Sequence, residues 1–315
     1  MSGVLWAAAA GIGFGLFQTV NRAALLDMDV YESTFIQLTI SAVILMVASV
    51  ATEDLSQLRQ APIGALGEFA LAGMVHFFLG WTLLNASQKR IGAARTSPLL
   101  AAAPLFGAVI AAVAIKEVPT TVSLLGVALI IIGVYVVTLE RIPARDRVGV
   151  ESAGGPAAVA GDVSTYNHRS RWKASLFGLG TALCWGTSPI FIRRGLDGLP
   201  SPLLGVTIGL LAAVAAYGIA ILLARRPVIS LSRSRQALAW KAAAGVLVGL
   251  STWTRWYALS LVPVAVVLGL GLLSVPTVIL LAPLLVGQHL ERVTPRVVGG
   301  SGVVLLGALV LILRS

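Results

Sequence analysis

Apolar residues run along this chain in long stretches separated by short polar ones, and the stretches have the length that crosses a bilayer as helix, about 20 residues. They fall at about 3–21, 33–51, 66–86, 93–115 and 122–139, then at about 174–192, 203–223, 239–260, 264–287 and 297–313. No stretch alternates apolar and polar residues with period two, as a membrane β-strand would. The pattern predicts an all-α integral membrane protein of ten transmembrane helices. Gly and Pro inside several runs fit this, because neighbouring helices in a membrane protein satisfy the freed backbone groups. Val4–Val20 also has the length of a signal-peptide core, but no Lys or Arg precedes it and its pattern recurs later, so it reads as a retained first span.

Between the two sets of five lies 141–171, with Pro143, Gly149, Gly154, Gly155, Pro156 and Gly161 and no apolar period, which predicts a flexible polar linker. The organisation is therefore 1–140, linker 141–171, and 172–315. The outer parts match each other. Phe14-Gly15 and Arg22 align with Trp185-Gly186 and Arg193; Trp81-Thr82 and Pro104 with Trp253-Thr254 and Pro276; Glu117, Thr120, Gly126 and Gly133 with Glu291, Thr294, Gly300 and Gly307. A duplicated unit with five spans enters the membrane from opposite sides in its two copies. The result is a pair of inverted five-helix repeats, a plan that secondary transporters use with the substrate site between the copies.

Each half resembles an EamA domain of the drug/metabolite transporter superfamily. In the first half the likeness runs from Ala93 through Pro104 to Lys116-Glu117, Gly126 and Gly133. In the second it runs from Ala265 through Pro276 to Glu291, Gly300 and Gly307. The second copy departs from the usual pattern in having Gln288-His289-Leu290 before its Glu. The resemblance implies a ten-helix carrier of small metabolites, often an exporter of amino acids or related compounds. It also implies a site built by spans 1, 3 and 4 and their partners 6, 8 and 9. Small multidrug carriers of the superfamily exchange protons for lipophilic cations through a Glu in the first helix. The corresponding region here, Phe14, Gly15, Gln18 and Asn21, has no acid, which disfavours that activity.

Composition sharpens this. The chain of 315 residues is 57% hydrophobic and 11% charged, with mean hydropathy +0.91, against about 25% charged in soluble domains. The net charge of +10 sits almost wholly between the apolar runs, so juxtamembrane placement explains it better than nucleic-acid binding. Seventeen of the 23 basic residues follow odd-numbered spans, where the positive-inside rule would put the cytoplasm and leave both termini outside. The family resemblance implies termini in the cytoplasm, so orientation stays open; an even number of spans puts both on one side. Cys184, the single cysteine, forms no internal disulfide.

Ionisable groups at membrane depth are functional candidates. Two stand out. His76 is near the middle of span 3, and its ring, which titrates near neutral pH, is the candidate for proton coupling. Arg255 lies about six residues from the end of span 8 and presents a fork suited to a carboxylate. In the repeat alignment Arg255 corresponds to Leu83, seven residues beyond His76 on the same helix face. Thr252 adds polarity there. Arg255 could instead snorkel to the interface, and His76 could be a packing residue. Phe14, Gln18 and Asn21 share a face of span 1, and Trp185 occupies the matching place in span 6. Trp81 and Trp253 are equivalent. These nine residues are the expected substrate site. Gln37 is assigned to packing, and Trp240 and Lys241 to interfacial anchoring. Pro104 and Pro276 kink spans 4 and 9. Glu117 and Glu291 are expected to cap the starts of spans 5 and 10.

The function these features predict is secondary transport by alternating access in a multi-pass cell membrane of the bacterial inner or plasma-membrane type. The expected substrate is a small molecule, with export of an amino acid or other carboxylated compound first and uptake of a similar one second. An enzyme would need a constellation that is missing: no HExxH, no GxxxxGK[ST], no deep acid pair, and His168 falls in the linker. No cofactor, metal or nucleic-acid partner is expected. A channel would need a continuous polar stripe or charged ring. The oligomeric state is not written in the sequence.

Overall fold

The computed structural model describes residues 2–107, 110, 121–139, 163–223, 234–288 and 290–312. Among them every regular element is helical: α1 Ser2–Leu25, α2 Val30–Thr52, α3 Ser56–Gln60, α4 Ile63–Gly73, a π-helical stretch Met74–Trp81, α5 Thr82–Ile91, α6 Ala93–Leu100, α7 Thr121–Thr138, α8 Val163–Gly198, α9 Pro202–Leu223, α10 Arg235–Leu261, α11 Val264–Gly271, α12 Ser274–Leu285 and α13 Pro295–Ile312. Six segments of the described residues are long and apolar enough to cross a membrane: Gly3–Leu25, Val30–Thr52, Ile63–Ile91, Trp172–Gly198, Pro202–Leu223 and Val266–Leu285. The chain is a multi-pass membrane protein. Its burial pattern is that of a protein solvated by lipid. Leu5, Val47, Val50, Leu222, Leu223, Leu280 and Leu284 face outward, while Gln18, Asn21, Gln37, Asn85, Gln88 and Lys241 are fully buried.

Helix starts and stops follow local chemistry. The Asp29 carboxylate accepts from Tyr31 N at 2.9 Å to open α2, and Ser234 Oγ accepts from Ala237 N at 3.1 Å to open α10. Pro202 and Pro295 take the first helical position of α9 and α13, where a missing N–H costs nothing. Gly92, with φ +82°, separates α5 from α6 in a conformation that suits glycine.

Three expectations change. Spans 4 and 9 are not single helices. α6 ends at Leu100, residues 101–102 form a turn and helix resumes at 103; α11 ends at Gly271, 272–273 form a turn and α12 begins at Ser274. Pro104 and Pro276 each lie in the first turn of the resumed helix, where proline is tolerated. Each therefore marks a break just upstream of itself. The remainder of span 4 and Glu117 lie outside the described residues. Residues 163–171, expected in the linker, belong to α8: beyond Gly161 nothing breaks the helix until Pro189, which is accommodated inside it.

Contacts give the helix directions. α1 and α10 run antiparallel: Trp6 meets Tyr257, Gly13 meets Ser251, and Asn21 meets Lys241. The rod α4–α5 runs antiparallel to α8, with Gly198 on Ala65, Gly195 on Phe69, Ser188 on His76 and Thr181 on Gly80. α7 and α13 also run antiparallel, Gly133 against Gly300 and Val304, Gly307 against Gly126 and Ile130. α1 crosses the break in span 9 at backbone distance, because a Cβ on Gly11 would stand 2.2 Å from the Leu270 carbonyl oxygen.

Candidate functional site

The π-helical stretch widens the middle of span 3 and lends its carbonyls to a neighbour. Trp185 Nε1 donates to the His76 carbonyl at 3.4 Å, and Thr181 Oγ1 donates to the Gly80 carbonyl at 3.3 Å. Such bulges recur at functional sites. His76 is fully buried. Its ring stacks on Trp185, centroids 5.4 Å apart and planes 14° apart, and its Nδ1 shares a hydrogen bond with Ser188 Oγ at 2.8 Å. Nε2 has no partner.

From this point aromatic rings form a continuous chain across four helices. Trp185 touches Phe14 at 5.5 Å, Phe14 touches Phe17, Phe17 touches Trp81, and Trp81 meets Phe77 at 5.0 Å. Phe77 stacks on Trp256 at 5.9 Å with planes 12° apart. Trp256 shares a face of α10 with Thr252, one turn away, and follows Arg255 in the chain. Arg255 is 7% exposed, so it does not snorkel to the surface.

What this region lacks is acceptors. Arg255 Nε and Nη2, Trp81 Nε1, Trp256 Nε1, Gln18 Nε2 and Thr252 Oγ1 are buried without hydrogen-bond partners, as is His76 Nε2. The Arg, Trp and amide nitrogens can only donate. A buried unpaired polar group costs about 1–3 kcal/mol, so a set of such donors is suited to a group that brings acceptors.

A second polar cluster adjoins the first through Gln18, at the end of α1. Lys241 Nζ donates to Asn21 Oδ1 at 2.5 Å and to Gln37 Oε1 at 2.7 Å. Asn21 Nδ2 donates to Asn85 Oδ1 at 2.8 Å and Gln88 Oε1 at 2.7 Å, and Gln88 Nε2 donates to Gln18 Oε1 at 3.4 Å. Lys241 is thus no interfacial anchor, and Gln37 is more than packing. Beside this cluster Arg22 Nε donates to Glu291 Oε1 at 2.7 Å, and the same carboxylate accepts from Ala93 N at 3.1 Å and Ala94 N at 3.0 Å. Glu291 therefore caps α6 rather than α13, since the tight approach at Gly92 brings the start of span 4 to it. This is a carboxylate at a positive helix end, on a helix other than the expected one.

Of the nine expected site residues, Phe14, Gln18, His76, Trp81, Trp185, Thr252 and Arg255 line or adjoin the aromatic chain, and Asn21 lies in the lysine cluster. Trp253 stands apart: it packs with Trp6 and Tyr257, ring centroids 5.7 and 6.3 Å away. Trp256 takes its place in the ring chain. Phe17, Phe77, Ser188, Asn85, Gln88, Trp256 and Lys241 were missed. Trp81, Asn85 and Gln88 are spaced four and three residues apart, one helix face that the sequence displays.

Residues 1–139 match the model of the EamA-like transporter family. No curated protein matches the chain. A solved structure described only as "Crystal structure of protein" shares the fold, with a TM-score of 0.62 at 17% identity over 100% of this chain and 99% of that one.

Proposed function

We propose that the protein is a secondary carrier that moves a small carboxylated metabolite, an amino acid being the first candidate, by alternating access between two inverted five-helix halves. The observation that carries the reading is the set of buried unpartnered donors, Arg255 among them, on helices joined by a continuous chain of aromatic rings. A carboxylate supplies only acceptors and the opposite charge, and aromatic walls suit the apolar part of an amphipathic solute. The family match supports transport as the activity.

The helix pairings support the inverted repeat. Numbering spans 1–10, α1 with α10 is 1 with 8, and adding five to each, modulo ten, yields 6 with 3, which is α8 with α4. α2 with α10 maps likewise onto α9 with α4, and α1 with span 9 maps onto α8 with α6; α2–α9, α6–α12 and α7–α13 map onto themselves. The swap also relates antiparallel neighbours, as inversion requires. The breaks in spans 4 and 9 are paired as well, and each is crossed by the first helix of the other half: Gly11 sits at the Leu270 carbonyl, and a Cβ on Gly186 would stand 2.5 Å from the Ala103 carbonyl oxygen. Such breaks give each half a hinge at the crossing. Export is the first direction considered and uptake the second, with His76 as the coupling candidate.

The test is flux in liposomes holding the purified protein, with labelled amino acids and organic acids, with and without a proton gradient. Saturable movement of an acid is expected. Arg255→Gln, which keeps a polar side chain but removes the charge, should raise half-saturation about 30- to 150-fold, from the roughly 2–3 kcal/mol of a charge-assisted hydrogen bond. Unchanged half-saturation removes the anion-site argument.

A further inference from the structure

We propose that Lys241 is the centre of a second carboxylate-binding station, separate from the one at Arg255. The inference rests on the carrier reading and extends it along α10. Lys241 and Arg255 are 14 residues apart, two heptads on nearly the same helix face and about 21 Å along the axis. One solute of metabolite size cannot touch both, so they are two stations.

The hydrogen-bond directions make the case. As an ammonium, Lys241 has three N–H groups, and two are taken by Asn21 Oδ1 and Gln37 Oε1. Those bonds fix which way each amide points. The oxygens of Asn21, Gln37, Asn85, Gln88 and Gln18 all accept within the cluster. Asn85 Nδ2 is spent on Thr34 Oγ1 at 2.7 Å. What remains free is Gln18 Nε2 and Gln37 Nε2, both fully buried. With Lys241 as an ammonium the cluster holds one positive charge, every amide oxygen already accepts a hydrogen bond, and two amide donors are idle. No described carboxylate pairs with Lys241; Glu291, nearby in the fold, is committed to Arg22 and the start of α6. A buried cation without a counter-charge is expensive, and the ligand that meets every remaining need is an anion that accepts from several donors. A carboxylate leaving the Arg255 site along α1 passes Gln18, which borders both clusters.

Acetate is the probe, at constant ionic strength, and accessibility of the buried Cys184 thiol to a maleimide is the readout. A ligand bound only to the folded state slows labelling by the factor 1 + [L]/Kd. Arg255→Gln removes the first station, and residual saturable protection by acetate is expected there, at least threefold. In that background Gln37→Glu places an internal carboxylate beside Lys241. It should abolish the residual protection while labelling without acetate becomes slower, which shows that the variant is folded and the ion pair has formed. Lys241→Met should abolish the protection too. The proposal is overturned if Arg255→Gln alone removes all protection, as it would if Lys241 is an uncharged amine satisfied by its two amide oxygens; the Arg255 reading then stands. It is also overturned if Gln37→Glu leaves protection intact. No protection in the parent protein overturns the carboxylate reading as a whole.

Discussion

Replacing Glu291 by Gln removes one charge and leaves the shape nearly unchanged, at a point where three groups converge. The carboxylate is fully buried and takes Arg22 Nε at 2.7 Å, Ala93 N at 3.1 Å and Ala94 N at 3.0 Å. All three partners are donors, so an amide can offer its oxygen to some of them but must turn its NH2 toward another. Breaking a buried ion pair from one side costs about 3–5 kcal/mol. Gln retains an acceptor, so the lower end, about 3 kcal/mol, applies, and this multiplies the opened population about 150-fold. α8 packs on α6, whose first turn Glu291 holds. Cys184 in α8 is buried and is the only cysteine. In native conditions with fast reclosing, maleimide labelling of Cys184 follows the opened population. Glu291→Gln should label about two orders of magnitude faster than the parent. Arg22→Met attacks the same pair from the other side, and the double variant should cost clearly less than the sum of the two. Labelling within threefold of the parent would refute the view that this inter-helix pair holds the halves together.

Thr252→Val deletes a buried, unpartnered hydroxyl without changing volume. It should leave stability the same or raise it by about 1 kcal/mol, while half-saturation in liposome flux rises; a loss of stability would mean that the hydroxyl serves the fold. Gly11→Val drives a Cβ into the Leu270 carbonyl at 2.2 Å and should cost at least about 2 kcal/mol, read by the same thiol labelling. Gly64→Ala is its control: nothing lies within 4 Å of the new methyl, and the helix gains about 0.5–1 kcal/mol.

Much of this fold was legible because apolar run length is a direct consequence of bilayer thickness, and the helices of spans 1, 2, 3, 6 and 7 fall where the runs predict them. The site was legible where a polar residue stands alone in an apolar run, as His76 and Arg255 do. It was illegible where polarity sits near the end of a run, because there an interfacial anchor and a buried group look alike. Lys241 is the clearest case. Seven residues into α10 and next to Trp240, it has the sequence context of an anchor. Only the antiparallel packing of α1 and the approach of α2 reveal that its ammonium is enclosed by Asn21 and Gln37. Glu291 is the same lesson in another form. Its capping chemistry could be read from the residue type, but its partner could not, since Arg22 lies 269 positions away. The two cases share a cause. Each buried charge is neutralised or solvated by groups from another helix, Lys241 by amides from α1 and α2, Glu291 by Arg22 and the start of α6. The positions that join the two halves are therefore the ones a linear reading assigns to surface or cap. That is also where a carrier would need its most sensitive contacts, because a solute that competes for one of these partners changes how the halves are held together.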